Sequence, residues 1–513
     1  RVTMYLATKV GSILETEEEL GLAHFMEHMN FNGLKNFPKN ELVDYLQRAG
    51  VRFGSDLNAY TGFDKTVYQL PIPSDDPELL KNGLQVLRDW AQDALLTDDE
   101  IDKERGVVLE EMRGGRGAGQ RMRDQYLPIM LNNSRYSHRL PIGTERVIRN
   151  FPSDVLRNFH KKWYRPDLQA LIIVGDIEVE AMEAEVHRLF SDLTSPLNFP
   201  EHVEYNVPLL DENQFIAVTD PEMTYTVGQI SIKHPEEKVE TVLDFRKSML
   251  KSVYSTMLNA RLSELAQSAY PPFIQASVGI DEFLGGLDAY TAFFVAKPNE
   301  FEEGFKALVR ELERVQKHGF TATEFARAIV SIQKNNETAY IERDKKKSES
   351  YVNRYLNFYL EDSPALSNED LYQLYKQLLP TLTLSEVDAI GESFYIDTNR
   401  DVIIMAPDQE KENLPDQQQV DVWFEEVERE AVGVYEDKVS DLPLISKEPQ
   451  AGKVAAEKNM DAIEAKEWTL SNGVKVILKP TTFKNDEILI SAFSPGGTSL
   501  YSDSDYFSAA QAA

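Results

Sequence analysis

Apolar and polar positions alternate from the start of the chain. Val2, Met4 and Leu6 share one face of an extended segment, which predicts a strand running to Val10. Apolar residues then recur at three- and four-residue intervals, predicting helices near 18–32, 39–49, 77–94 and 98–112. TVYQLPI at 66–72 and the run Leu168–Val174 read as strands, with a helical stretch near 152–160 between them. The same style returns from about 212 to 440. There FIAVTD, TVGQISIKHP, QASVGI, YTAFFVAK and DVIIMAP read as strands, and helices are predicted near 239–267, 300–317, 322–359 and 366–379. Strands and helices mix without regular βαβ alternation, which is an α+β pattern.

Residues 438–465 break the periodicity. They are rich in Lys, Glu, Ala and Pro (SKEPQAGKVAAEKNMDA) and read as a solvated linker. After them the pattern begins again. EILISAFSPGGTSLYSDSDYFSAAQAA can be laid on VTMYLATKVGSILETEEELGLAHFMEH, which puts Gly497 on Gly11, Leu500 on Leu14 and Ala509 on Ala23. Both stretches read as a strand, a glycine turn and a polar loop entering a helix, the mark of a duplicated architecture. The expected division is a first domain at 1–208, a second at 209–437, the linker at 438–465, and the start of a degenerate third repeat at 466–513. In this alignment Ala510 stands opposite His24, so the later copy lacks the first copy's chemistry.

Composition narrows the function classes. At 513 residues the chain is too long for one ordinary domain, and 42% hydrophobic with 27% charged residues is a globular balance. The net charge of −31 argues against a nucleic-acid partner and against docking on an anionic membrane. No apolar run approaches the length of a membrane span. The chain has no cysteine, which excludes disulfides, thiolate metal sites and cysteine nucleophiles together. It opens on Arg1 with no visible signal segment, as a trimmed sequence would.

The sharpest chemical signal is His24-Phe25-Met26-Glu27-His28. On a helix, His24 and His28 lie one turn apart on one face, with Glu27 beside it. Leu22, Phe25, Met26 and Met29 point away and can anchor the helix. Two imidazoles at i and i+4 form a bidentate clamp for Zn²⁺, and the adjacent carboxylate can take a proton from water activated there. The plain alternative is a surface helix with two solvated histidines. With eight His in the chain, this spacing arises by chance on the order of 0.01 times. The remaining histidines do not pair at ligand spacing, so the third ligand is expected to be a carboxylate. The predicted helix from Glu100 to Met112 offers Glu104, Glu110 and Glu111; Glu104 and Glu111 are two turns apart on one face.

HFMEH followed by ERGVVLEE resembles the pitrilysin/insulysin family of zinc metallopeptidases, the inverzincins, whose motif inverts the HExxH order. GLAHFMEHMNFNG, GSDLNAYTGFDKTVY, RYSHRLPIGTE, WYRPDLQALIIVGD, NARLSELAQ and GFTATEFARA also resemble family segments, so the similarity covers nearly the whole chain. The resemblance implies two similar α/β-sandwich domains, each an antiparallel-rich sheet packed with helices, forming the first half of a two-half clam-like chamber. It implies zinc ligands His24, His28 and Glu111, a general base at Glu27, and Glu104 as the partner that orients the site. Glu104 alone would fit the family's shorter spacing from the second His; an insertion around Ser74–Glu78 accounts for the longer gap to Glu111. Asn58 and Ala59 match residues that hold an extended peptide by strand addition.

The expected activity is therefore zinc-dependent endopeptidase cleavage of peptides or small unfolded polypeptides, completed by a C-terminal half beyond residue 513. The rival expectation is a non-catalytic, peptide-binding or scaffold subunit of the same family. A periplasmic location follows only from the missing cysteines and the likeness of ERGVVLEE to bacterial members. Arg261 lies in the part of the second domain related to family grip residues but is not expected to act in catalysis. RGGRGAG at 113–119 reads as a flexible loop, not a nucleic-acid segment or phosphate cradle. The aromatics of YVNRYLNFYL at 351–360 recur at helical spacing and read as core.

Overall fold

The computed structural model describes residues 1–511 apart from positions 40, 49, 53, 55–57, 196–198, 439–441 and 444. Parts of the GSDLNAY segment and of the expected linker thus lie outside the described residues. The chain divides into two compact units, residues 1–336 with 347–440, and residues 337–346 with 441–513.

The larger unit is mixed α/β, with sheets packed by helices. Its first run of elements is β1 Val2–Thr8, α1 Leu22–Met29, α2 Glu41–Arg48, β2 Asn58–Thr61, β3 Thr66–Ile72, α3 Pro77–Gln92, α4 Asp98–Gly114, α5 Ala118–Met130, α6 Glu145–Asn150, α7 Ser153–Trp163, β4 Gln169–Gly175 and α8 Val179–Phe190. The strands form one antiparallel sheet in the order β2-β3-β1-β4. Every residue of β1 is buried. Met4 and Leu6 face the core shared with α1, α3 and α7, whereas Tyr5 and Ala7 pack on the opposite face against Val352 and Leu356. A strand covered on both faces in this way keeps little polar alternation.

The second run is β5 Gln214–Asp220, β6 Val227–Pro235, α9 Val242–Ala266, β7 Gln275–Glu282, β8 Leu287–Val295, α10 Phe301–His318, α11 Ala322–Ile341, α12 Ser348–Glu361, α13 Asn368–Leu378, α14 Leu384–Phe394, β9 Arg400–Pro407 and α15 Gln417–Arg429. Its sheet has the order β5-β9-β6-β8-β7, antiparallel except for the β5–β9 pair. Without β5 this is the first sheet's order repeated, β7-β8-β6-β9 matching β2-β3-β1-β4. The two halves also exchange a helix. α5 packs on β5 and β9 of the second sheet, and α12 packs on β1 and β4 of the first.

Within the smaller unit, β10 Val454–Met460, β11 Ala465–Leu470 and β12 Lys475–Leu478 form an antiparallel meander, and α16 covers Tyr506–Ala510. β10 lies inside the span read as a linker. All its side chains but that of Met460 are exposed, so pairing with β11, not burial, makes it a strand and hydropathy periodicity is silent there. The strand expected at EILIS does not form. Ile488, Leu489, Ile490 and Phe493 are exposed and the backbone has no regular structure, because a strand needs a neighbour to pair with.

Two further expectations change. The helix expected over 322–359 is two helices, broken by a 3₁₀ turn at Arg343–Lys345 and extended backbone at Lys346 and Lys347. Arg343-Asp344-Lys345-Lys346-Lys347 offers no apolar residue to bind a helix to a core. The RGGRGAG loop shrinks to residues 115–117, since α4 runs through Gly114 and α5 starts at Ala118. The aromatic-rich 351–360 stretch is only partly core: Val352 and Leu356 are buried but Tyr355 and Phe358 are exposed.

Candidate active site

The site is built on α1. Leu22, Ala23, Phe25, Met26 and Met29 are buried in the first core, which fixes the helix and leaves His24 and His28 on its other side, partly exposed. The helix starts from Gly21 at φ +97°, where no side chain caps it locally. Glu15 does so from a distance. Its buried carboxylate accepts the backbone N–H of Gly21 and of Ala23, each at 2.8 Å, satisfying donors that a helix start leaves unpaired. Burial pushes the Glu15 carboxyl up to about 8, against the pull of these two donors. Gly143 lies against this turn so closely that a Cβ there would sit 2.3 Å from the Gly21 Cα.

Helix α4 crosses beside α1 and delivers both expected carboxylates. His28 Nδ1 lies 2.7 Å from Glu104 Oε1, and His28 Nε2 lies 3.1 Å from Glu111 Oε2. His24 Nε2 is 3.6 Å from Glu111 Oε1. One ligand atom from each of His24, His28 and Glu111 falls within a 4.8 Å cluster. Among the described residues no other trio of His, Cys, Asp or Glu does so. Glu104 is buried and is itself held by Asn32, whose Nδ2 donates to Oε2 at 2.5 Å. Arg105 anchors α4 by donating to the carbonyls of Ile148 and Phe151 at 2.8 and 2.7 Å.

The charges in this cluster are coupled. Burial, aided by the neighbouring His28, lowers the His24 imidazole to about 4. Burial also opposes charge on His28, but the carboxylates of Glu104 and Glu111 outweigh it and raise that ring to about 9. The hydrogen bond from His28 holds Glu111 below the usual carboxylate range. A neutral imidazole, a protonated imidazole and a carboxylate thus converge, with the proton on His28 Nε2 directed at the Glu111 carboxylate. Two imidazoles and a carboxylate are a zinc donor set, and a dication would replace that proton, so the residues present fit the metal. Glu104 fixes the His28 ring through Nδ1. His24 Nδ1 is buried with no hydrogen-bond partner among the described residues.

Glu27 is 8% exposed and stands apart from the trio. Burial raises its carboxyl, opposed by Thr61, whose hydroxyl donates to Oε2 at 2.5 Å. Thr61 ends β2, the edge strand of the first sheet, which also carries Asn58 and Ala59. His24, Glu27, Ala59, Thr61, Glu111 and the apolar Phe63 line a common cavity of about 860 Å³. Asn58 is exposed on the same strand and is not among the lining residues. Arg261 lies elsewhere, in a buried ion pair with Glu311 and Glu324 at 3.1 and 2.6 Å.

Three contributors escaped sequence reasoning. Thr61 was findable, since it sits two residues past Ala59 and so on the same face of a strand. Asn32 is four residues past His28, beyond the helix end. Glu15 carried no signal, because only the fold places a loop carboxylate at the start of α1.

Residues 1–136 match the family model described as insulinase (peptidase family M16), and residues 150–331 match that of the peptidase M16 inactive domain. A zinc protease PQQL-like protein of Arabidopsis thaliana is 30% identical over 99% of this chain and 50% of its own length. The structure of the first half of the periplasmic protease PqqL from Escherichia coli superposes with a TM-score of 0.80 at 25% identity, covering 85% of this chain and 93% of that one. The structure of the periplasmic protease PqqL itself gives a TM-score of 0.81 at 25% identity, covering 93% of this chain and 53% of that one. The chain spans about half the length of the curated relatives it matches.

Proposed function

The chain belongs to the insulinase (M16) peptidase family, and from that premise and the site geometry we propose that it is the metal-bearing part of a zinc-dependent endopeptidase. The observation that carries this is the convergence of His24, His28 and Glu111, with Glu27 alongside but outside the trio. Those three residues would hold the ion. When bound, zinc supplies Lewis acidity, polarising a peptide carbonyl and making water acidic enough to attack near neutral pH.

The remaining work belongs to the chain's own side chains. Glu27 has one oxygen engaged by Thr61 and the other available for water. It takes a proton from the attacking water and returns it to the departing nitrogen. Glu104 orients His28, and Asn32 orients Glu104. Strand β2 offers its edge to an extended peptide, with main-chain hydrogen bonds at Asn58 and Ala59 making recognition tolerant of sequence.

We take residues 1–208 as the catalytic domain and 209–437 as its non-catalytic counterpart. The substrates are peptides or unfolded polypeptides small enough for a chamber completed by the rest of a protein of the relatives' length. The likeness to PqqL supports a periplasmic setting. The test is Glu27→Gln in the intact protein, which keeps shape but accepts no proton. Zinc content and peptide affinity should hold while turnover falls about 10²–10⁴-fold. Loss of zinc would make Glu27 a ligand. A wild-type protein that binds zinc and peptide but cleaves nothing would leave a peptide-binding subunit.

A further inference from the structure

Thr61 joins two parts of the site that are otherwise separate. Its backbone closes β2, and its register partner across the sheet is Thr66 of β3. Its side chain lies on the cavity face of the strand together with Ala59. The hydroxyl is 2.5 Å from Glu27 Oε2, and a carboxylate can only accept, so Thr61 is the donor. The neighbouring hydroxyl of Thr66 does not compete. Thr66 is fully buried and donates to the Val10 carbonyl at 2.8 Å, while its distance to Thr61 Oγ1 is 3.5 Å.

A glutamate side chain has three rotatable bonds, and among the described residues this is the one hydrogen bond that the Glu27 carboxylate makes. Removing it frees the terminal torsion of a group that has to meet water at one place. We propose that Thr61 is a positioning residue, whose hydroxyl holds Glu27 in the rotamer that presents its other oxygen to the cavity and ties that rotamer to the edge strand on which the peptide docks. The proposal rests on the reading of Glu27 as base and of β2 as the docking edge. Because the tether leaves from the docking strand, a peptide seated along β2 and a correctly aimed base become one arrangement.

The experiment compares Thr61→Val, Thr61→Ser and Glu27→Gln singly, and Thr61→Val with Glu27→Gln, in the intact protein. Valine keeps the shape and removes the donor; serine keeps the donor. Thr61→Val should retain zinc content, melting temperature and KM, and lose about tenfold in kcat, as expected when a hydrogen bond to a charged group is deleted. Serine should restore most of kcat. In the Glu27→Gln background, Thr61→Val should cost nothing further. A crystal structure of the metal-free Thr61→Val chain should show Glu27 in a different or a split rotamer, a readout that needs no turnover. An unchanged kcat and rotamer, or the same tenfold loss in both backgrounds, overturns the proposal. Normal turnover in Glu27→Gln alone would instead remove the base reading, and the rotamer would still judge the tether.

Discussion

At the scale of residues, the site separates two glutamates that helix spacing alone presents as equivalent. Glu111 faces both imidazoles with its carboxylate half exposed, whereas Glu104 is buried behind His28 and bonds only one ring. On the proposed reading Glu111 holds the ion and Glu104 stands behind a ligand, so their removal should differ in effect. Glu104→Gln is expected to weaken zinc binding about 10–100-fold. Glu111→Gln should weaken it more, measured by competition with a chelator of known affinity. The reverse order would exchange their roles. The i, i+4 histidines were legible because helical geometry is local. Helix spacing alone left Glu104 and Glu111 open, because the difference depends on how far α4 slides along α1; it was the family resemblance that favoured Glu111.

At the scale of elements, helix starts carry much of the polar design. α14 begins with a capping box in which Thr383 and Glu386 exchange hydrogen bonds with each other's backbone N–H, and Arg246 clamps the same glutamate at 2.7 and 2.9 Å. The Arg246 bond, followed by Thr383, lowers the Glu386 carboxyl to about 2. A depressed carboxylate stabilises the fold above its unfolded value near 4.3 and loses that contribution as pH falls through the folded value. Arg246→Ala should therefore destabilise at pH 7 by less than about 1 kcal/mol, since the pair is part exposed. The difference should shrink steadily from about pH 5 down to about pH 2 in urea titrations. The start of α1 is more demanding. Gly143 has φ +71° and touches Gly21, so Gly143→Ala combines a left-handed conformation with a backbone clash. It should cost about 1–3 kcal/mol, read from the shift in urea midpoint. The longer helices and the buried strands announced themselves by periodicity. α5 was hidden by its glycine- and arginine-rich approach, and β10 by the absence of any buried face.

At the scale of the molecule, the exchange of α5 and α12 binds the two sheets of the larger unit to each other. Its polar centre is Lys233, which is 1% exposed. It pairs with Asp401 at 2.7 Å and donates to Asn132 Oδ1 and the Met130 carbonyl at the end of α5, at 2.6 and 3.2 Å. Lys233→Met leaves Asp401 buried without its cation and should cost about 3–5 kcal/mol. Adding Asp401→Leu removes the stranded charge and should recover much of that loss. A double variant less stable than Lys233→Met would show that the pair contributes more than mutual neutralisation, and unfolding followed by tryptophan fluorescence distinguishes the cases.

The sequence by itself determined what short-range physics encodes: the α+β class, most strands and long helices, and the placing of His24 and His28 on one face of the HFMEH helix with Glu27 beside them. These follow from periods of two and 3.6 residues. Only the tertiary structure decided what depends on the meeting of distant segments. It set the distances by which Glu111 meets both imidazoles and Glu104 only one, placed Glu15 at the start of α1 and Thr61 against Glu27, crossed α5 and α12 between the sheets, and denied the EILIS segment a strand. In each case an atom's role depends on a partner far along the chain, and no local pattern carries information about where that partner will lie.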